Sequence, residues 1–339
     1  MIITRTPFRM SFLGGGSDLA QFYERSPGAV LSVSLNKYIY LTTHGFFEPK
    51  QVRVKYSKTE TVRSVGEIQH PIVRVCLERF GIAGGVEISS NADIPSGTGL
   101  GSSSSFTVGL LHNLHTRAGR FATKDRLAAE ASEIEIEVLR EPIGKQDQYA
   151  AAYGGLNLFR FLPSGAVATE RLALPRERLH EFHSHLLLFY TGTQRATSSV
   201  LSEQRANLQN EQSKFAALQR MVEMVEPGRD ALHAANWSEF GRILDESWRL
   251  KKSLASKISD DGIDALYASA MRAGAWGGKL LGAGGGGFLL VMCEPGAAER
   301  IARELSGLRR ISFDFDSEGS KVLHADFEDV PSTYARSEH

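Results

Sequence analysis

Pro95-Ser96-Gly97-Thr98-Gly99-Leu100-Gly101-Ser102-Ser103-Ser104-Ser105 is the segment that decides how this sequence is read. Its glycines unmask consecutive backbone N–H groups. The serines then open a stretch in which Phe106, Leu110, Leu111 and Leu114 recur at helical spacing up to Gly119. A helix that begins at Ser102 turns its positive dipole end towards the glycine turn, which is the arrangement that holds phosphate. One serine suffices to cap a helix; four after three glycines point to an anion site whose hydroxyls also suit a hard cation such as Mg²⁺.

Outward from this loop, glycine is unevenly spread. The chain has 33 glycines in 339 residues, and two further clusters stand at Gly14-Gly15-Gly16 and Gly282 to Gly287. Glycine costs backbone entropy, so three dense clusters favour close approach to a ligand over three coincidental turns. Two better-known glycine motifs do not apply. Gly144-Lys145 and Gly278-Lys279 are followed by Gln146 and Leu280 rather than by Ser or Thr, so no Walker A loop is present. Gly282, Gly284 and Gly287 fit the dinucleotide pattern, but the strand-like run Phe288-Leu289-Leu290-Val291-Met292-Cys293 follows where that pattern needs a helix.

Residues 29–34 and 38–41 read as strands and Val86-Glu87-Ile88 as a third. A helix is expected from Lys124 to Arg140, with Leu127, Ala131, Ile134 and Val138 as its apolar stripe, ended by Pro142 and Gly144. The irregular, charged stretch 172–179 marks a junction, after which 186–190 and 288–293 read as buried strands, 200–275 as mainly helical, 297–308 as a helix and Ile311–Phe315 as a final strand. The expectation is an α+β chain in two parts, 1–180 and 181–339. Lys+Arg and Asp+Glu are equal at 39 each, so the charge balance supplies no footprint for nucleic acid or an anionic membrane. Only two cysteines occur, too few for a disulfide scaffold or a cysteine zinc site. With no secretory layout at the start and no apolar run near ~20 residues, a cytoplasmic protein is expected.

The run from Pro95 to Ser105 resembles the second motif of the GHMP small-molecule kinases. Pro7-Phe8-Arg9 through Asp18 is similar to their first motif, and Lys279 through Phe288 to their third, in the family's order. Within that superfamily Arg5 through Asp18, Asn36-Lys37-Tyr38 and Gly144-Lys145-Gln146-Asp147-Gln148-Tyr149 look most like D-glycero-D-manno-heptose 7-phosphate kinases. The resemblance implies a ribosomal-protein-S5-like N-terminal domain and a ferredoxin-like C-terminal domain, with transfer of the ATP γ-phosphoryl group to an anomeric sugar hydroxyl in bacterial lipopolysaccharide or capsule synthesis. Implied partners are ATP, Mg²⁺ and a small sugar phosphate, with a homodimer allowed.

The resemblance also assigns residues. ATP would lie on Pro95, Gly97, Thr98, Gly99, Leu100, Gly101, Ser102, Ser103 and Ser104, with Tyr56 and Ser57 beside the adenine. Ser103 and Glu135 would hold the metal. The helical wheel independently prefers Glu135 to Glu137: Glu135 shares a side with Ala128, Ala131 and Ser132, whereas Glu137 falls on a charged face. Asp147 corresponds to the catalytic aspartate, a carboxylate able to accept the sugar hydroxyl proton, and Arg9 to the cation beside it, a planar fork suited to phosphate oxygens. Gly14, Gly15, Gly16, Ser17 and Asp18 would cradle the sugar, with Lys37, Lys145, Arg195, Gly284 and Gly285 as further substrate contacts. Galactokinases carry a Glu-His pair where this chain has Gly15-Gly16, which weighs against galactose. A fucose- or galactose-type kinase, an ATP-dependent decarboxylase of the same fold, and a silent sugar–ATP sensor are the competing readings. Retention of Arg9, Glu135 and Asp147 argues against the sensor.

Overall fold

The fold is taken from a computed structural model, which describes residues 1–192 and 197–326. Twelve strands are present among the described residues: β1 (Ile2–Leu13), β2 (Gly28–Gly45), β3 (Val52–Lys55), β4 (Thr59–Val62), β5 (Val86–Ala92), β6 (Leu156–Phe161), β7 (Val167–Arg171), β8 (Leu186–Tyr190), β9 (Ala275–Leu280), β10 (Phe288–Cys293), β11 (Arg309–Arg310) and β12 (Lys321–Ala325). They form two sheets. The first has eight strands, ordered β12-β1-β2-β5-β3-β4 with β6 and β7 joined through β2; the second is β11-β8-β10-β9. All pairings are antiparallel except β3 with β5.

The two strands expected over 29–41 are one. β2 runs unbroken for 18 residues, pairing β6 with its first half and β5 with its second, while β1 follows it along both. The gap left between them is a bulge in β2: Pro7 pairs with Tyr38 and Arg9 with Ser34, so Leu35, Asn36 and Lys37 stand opposite the single residue Phe8. Phe8, Met10 and Phe12 of β1 are fully buried. Phe12 meets Phe182 and Phe240 edge-on, so the core of the first sheet continues into the helices of the second half.

Ile311–Phe315 alternates like a strand and does not become one. Its stretch meets β2 at a single bridge, Phe315 to Leu35, because β6 pairs β2 up to Val33 and β5 from Ile39, leaving only the short gap between them open. Phe313 and Phe315 instead pack on His183 and Phe182. The chain then returns to the first sheet, where β12 pairs with β1. The helix expected over 124–140 is α-helical only to Ser132, and Glu133–Val138 is π-helical. That change of period turns Val138 outward, half exposed, although a 3.6-residue period places it on the apolar stripe.

Candidate active site

A cleft of about 900 Å³ opens between the first sheet, the loop 93–101 and the second half of the chain. That volume lies at the upper end of the ~300–1,000 Å³ typical of ligand sites. Gly101 is left-handed, at φ 76°, and the helix Ser102–Arg117 begins after it with no side chain bonded to its first-turn amides. Those orphan donors border the cleft at Gly101, Ser102, Ser103 and Ser104. The fourth serine serves packing: the Ser105 hydroxyl donates to the Pro7 carbonyl at 2.8 Å. A Cβ on Gly99 would lie 2.5 Å from the Leu281 carbonyl oxygen, so the loop's back rests directly on the third glycine cluster. Pro95, Gly97 and Gly99 line the cleft as expected. Thr98 and Leu100 are buried, the Thr98 hydroxyl closing the turn on the Pro95 carbonyl.

Arg9 and Asp147 meet immediately behind the loop. Arg9 Nε and one terminal nitrogen donate to the two Asp147 oxygens, both at 2.7 Å, and its other terminal nitrogen donates to the Gly99 carbonyl at 2.6 Å. The Arg9 amide also bonds the Leu100 carbonyl, which fixes β1 against the loop. A Cβ on Gly101 would sit 3.1 Å from Asp147 Oδ2, so any larger residue there presses on the pair. Three of five guanidinium hydrogens are used, and two stay available in a side chain only 4% exposed.

Glu135 lies deeper. It is fully buried, whereas Glu137 is exposed, as the helical wheel suggested. Ser103 Oγ donates to one of its oxygens and Gln148 Nε2 to the other, each at 2.7 Å. Burial dominates its titration and pushes it up to about 6 despite these donors. Among the described residues no group of three or more His, Cys, Asp or Glu could hold a metal. A carboxylate with a hydroxyl is nevertheless the sparse oxygen set that Mg²⁺ accepts when phosphates supply the other ligands. The residues present fit that ion.

The end of the cleft beyond the Arg9–Asp147 pair is built from charge. Asp18, 3% exposed, accepts from the Gly16 amide at 3.0 Å and the Gln146 amide at 3.2 Å; burial raises its pKa, and Asp147 adds to the rise. Gly15 and Gly16 border the cleft with it. Gly14 and Ser17 do not. The Ser17 hydroxyl both donates to and accepts from Ala29, tying the turn to β2. Lys145 points away, its ammonium on the Gly165 carbonyl over the Tyr23 ring. Lys37 is half-buried outside the cleft. Gly284 and Gly285 abut the backbone of Ile258, and their neighbours Gly282 and Ala283 reach the cleft instead. Arg195 lies outside the described residues.

Sequence reasoning missed the cations that do face this end, Lys251 from the helix Trp237–Lys252 and Lys279 from β9. Both are 6% exposed. Burial lowers their pKa values to about 8 and about 7, the mutual repulsion and Arg9 adding to the fall at Lys279. Lysines are common on any surface, and nothing in the spacing of these two singles them out; only Lys279, at the head of the third motif, carried a signal. At the opposite end Tyr56 and Ser57 do border the cleft, with an unforeseen pair beside them: His70 stacks on Phe106 at 4.7 Å and meets Tyr56 edge-on. A flat apolar wall of this kind suits a nucleobase.

Residues 68–155 match the GHMP kinases N terminal domain and residues 229–308 the GHMP kinases C terminal domain. The D-glycero-alpha-D-manno-heptose 7-phosphate kinase of Campylobacter jejuni is 27% identical over 340 residues, covering 94% of this chain and 98% of that protein. The bifunctional fucokinase/GDP-fucose pyrophosphorylase of Arabidopsis thaliana is 25% identical, covering 88% of this chain and 30% of that longer protein. The crystal structure of a D-glycero-D-manno-heptose 1-phosphate kinase from Bacteroides thetaiotaomicron superposes with a TM-score of 0.78 at 24% identity, covering 96% of this chain and all of the other.

Proposed function

We propose that this phosphotransferase, which belongs to the GHMP kinases and is a sugar kinase of that family, phosphorylates the anomeric hydroxyl of D-glycero-D-manno-heptose 7-phosphate with ATP. The observation that carries the reading is the placement of the Arg9–Asp147 pair. It stands between a loop of unmasked amides and an acceptor end rich in buried charge. The division near residue 180 belongs to the same reading, with the nucleotide on the first half and both halves closing on the acceptor.

In this mechanism the triphosphate lies on the amides of Gly97 to Ser104, and the helix dipole offsets part of its charge. Ser103 and Glu135 would hold Mg²⁺, which would supply charge neutralisation on the phosphate oxygens. Asp147 keeps lone pairs beyond those engaged by Arg9 and accepts the hydrogen bond of the anomeric hydroxyl, aligning it and receiving its proton. The two remaining Arg9 donors steady the charge on the transferred group. Asp18 holds a second sugar hydroxyl. The acceptor proton moves from oxygen to carboxylate as the new ester bond forms and ADP leaves.

The test is ATP consumption against a panel of free sugars and sugar phosphates, with phosphorus NMR locating the new ester. The expected product is the heptose 1,7-bisphosphate. Transfer to free galactose or fucose with no turnover of any heptose phosphate overturns the substrate assignment.

A further inference from the structure

We infer that Lys251, Lys279 and Gln204 form the seat for the phosphate that the acceptor sugar already carries. This rests on the reading of the acceptor as a sugar phosphate and names the chain's own residues for it.

The argument begins with unpaired charge. Buried ammonium groups are expensive unless a negative group faces them. The one carboxylate that faces them, Asp18, acts on Lys251 from beyond ion-pair distance, and neither lysine has a carboxylate within that distance among the described residues. Lys251 donates to Gln204 Oε1 at 2.9 Å and to the Gly15 carbonyl at 3.4 Å, and Lys279 donates to the Phe12 carbonyl at 3.2 Å. Three of their six hydrogens therefore have no acceptor. Gln204 is fully buried, and its Nε2 has no partner among the described residues. Two cations and an orphan amide donor in one corner of a ligand cleft lack an anion, and a phosphate monoester dianion matches them in charge and in acceptor number.

Position separates this seat from the nucleotide. Arg9 is held by the loop, through the Gly99 and Leu100 carbonyls. The carbonyls that receive the two lysines, Phe12 and Gly15, lie further along β1 and into the turn after it. Three residues of strand from Arg9 to Phe12 make roughly 10 Å. A heptose with its anomeric hydroxyl at Asp147 can run along this stretch of strand and bring a phosphate on its far carbon to the two lysines, whereas the γ-phosphoryl group stays at the loop. Gly16 explains the approach: a Cβ there would fall 2.4 Å from Gln204 Nε2 and 3.4 Å from Lys251 Nζ. The space that a side chain at residue 16 would fill is occupied by the proposed seat.

The test compares kcat/KM for heptose 7-phosphate with kcat/KM for the free heptose, in the intact chain and in Lys251→Met, Lys279→Met and the double variant. The ratio is independent of the fraction of enzyme that folds. Each charge-assisted bond lost should lower it about 10- to 150-fold, more in the double variant, while the KM for ATP changes less than about threefold. An unchanged ratio in both single variants, or a loss confined to ATP, overturns the seat even if heptose 7-phosphate is the substrate. An intact enzyme that prefers the free sugar overturns the substrate reading and the seat together.

Discussion

On the proposed reading the two ends of the cleft both hold phosphate, with different materials. At the nucleotide end the donors are backbone amides, presented by a turn whose glycines rest on Leu281 and on the Arg9–Asp147 pair. At the acceptor end the donors are side chains from β9 and two distant helices, brought together only by the fold. Backbone sites are written contiguously in a sequence; side-chain sites need not be. The first kind binds what every member of a family shares, and the second has freedom to vary with the substrate.

The sharpest way to break this contrast is at the boundary between the ends. Asp147→Asn keeps the size of the side chain but removes its ability to take a proton. Turnover should fall about 10²- to 10⁴-fold with the Kd for ATP nearly unchanged, measured by steady-state kinetics and calorimetry. Normal turnover in that variant would remove Asp147 from the chemistry.

A second difference is acid–base behaviour. A dianion bound at the acceptor end favours the charged lysines, and the free enzyme loses those protons above about pH 7 at Lys279 and about pH 8 at Lys251. The groups facing them are Arg9 from β1, Asp18 from the turn after it and one another. The KM for a phosphorylated acceptor should therefore rise with pH, by up to about tenfold per unit for each lysine neutralised. The KM for a free sugar should stay flat over the same range. Parallel curves for the two acceptors would contradict the assignment.

Glu135 tests the other end. Its pKa is about 6 in the folded protein against an ordinary 4.5, so between those values the native state holds a proton that the unfolded chain has released. Stability conferred by this site falls as pH rises through that window, by about 2 kcal/mol in all. Glu135→Gln removes the penalty. The Gln148 carbonyl, now buried without a partner, can turn to accept the new amide. Urea unfolding of the metal-free variant should show it more stable than the parent at pH 8 and close to it at pH 4.5, yet poor in turnover. A smaller gain at pH 8 than at pH 4.5 would refute the account. The least effect is expected from Lys145→Met: its ammonium is spent on Gly165, and both KM values should stay within about twofold.

The sequence disclosed the site unevenly, for physical reasons. The loop, Arg9, Asp147 and the buried side of Glu135 were readable because each belongs to a short motif or a helical period. Ser17, Lys145 and Lys37 belong to the same motifs, but adjacency in a motif does not say which side of a turn a side chain takes. Lys251 and Gln204 carry no local pattern. The fold was legible wherever alternation coincided with a long free strand edge, and misleading at Ile311–Phe315, where only the short gap between β6 and β5 was open. The π-helical turn at Glu133–Val138 has no compositional mark, and it displaced Val138 without disturbing Glu135.

The pairing of β12 with β1 has a consequence during synthesis. β1 carries Arg9, and the outer edge of its first residues, Ile2 to Arg5, is covered only when residues 321–325 emerge. At ordinary elongation rates that leaves an open edge for on the order of ten seconds or more, the interval in which such an edge recruits foreign strands. Until residues 321–325 appear, a nascent chain of this protein is thus open to edge-to-edge aggregation, and holdase capacity in the host should raise its yield.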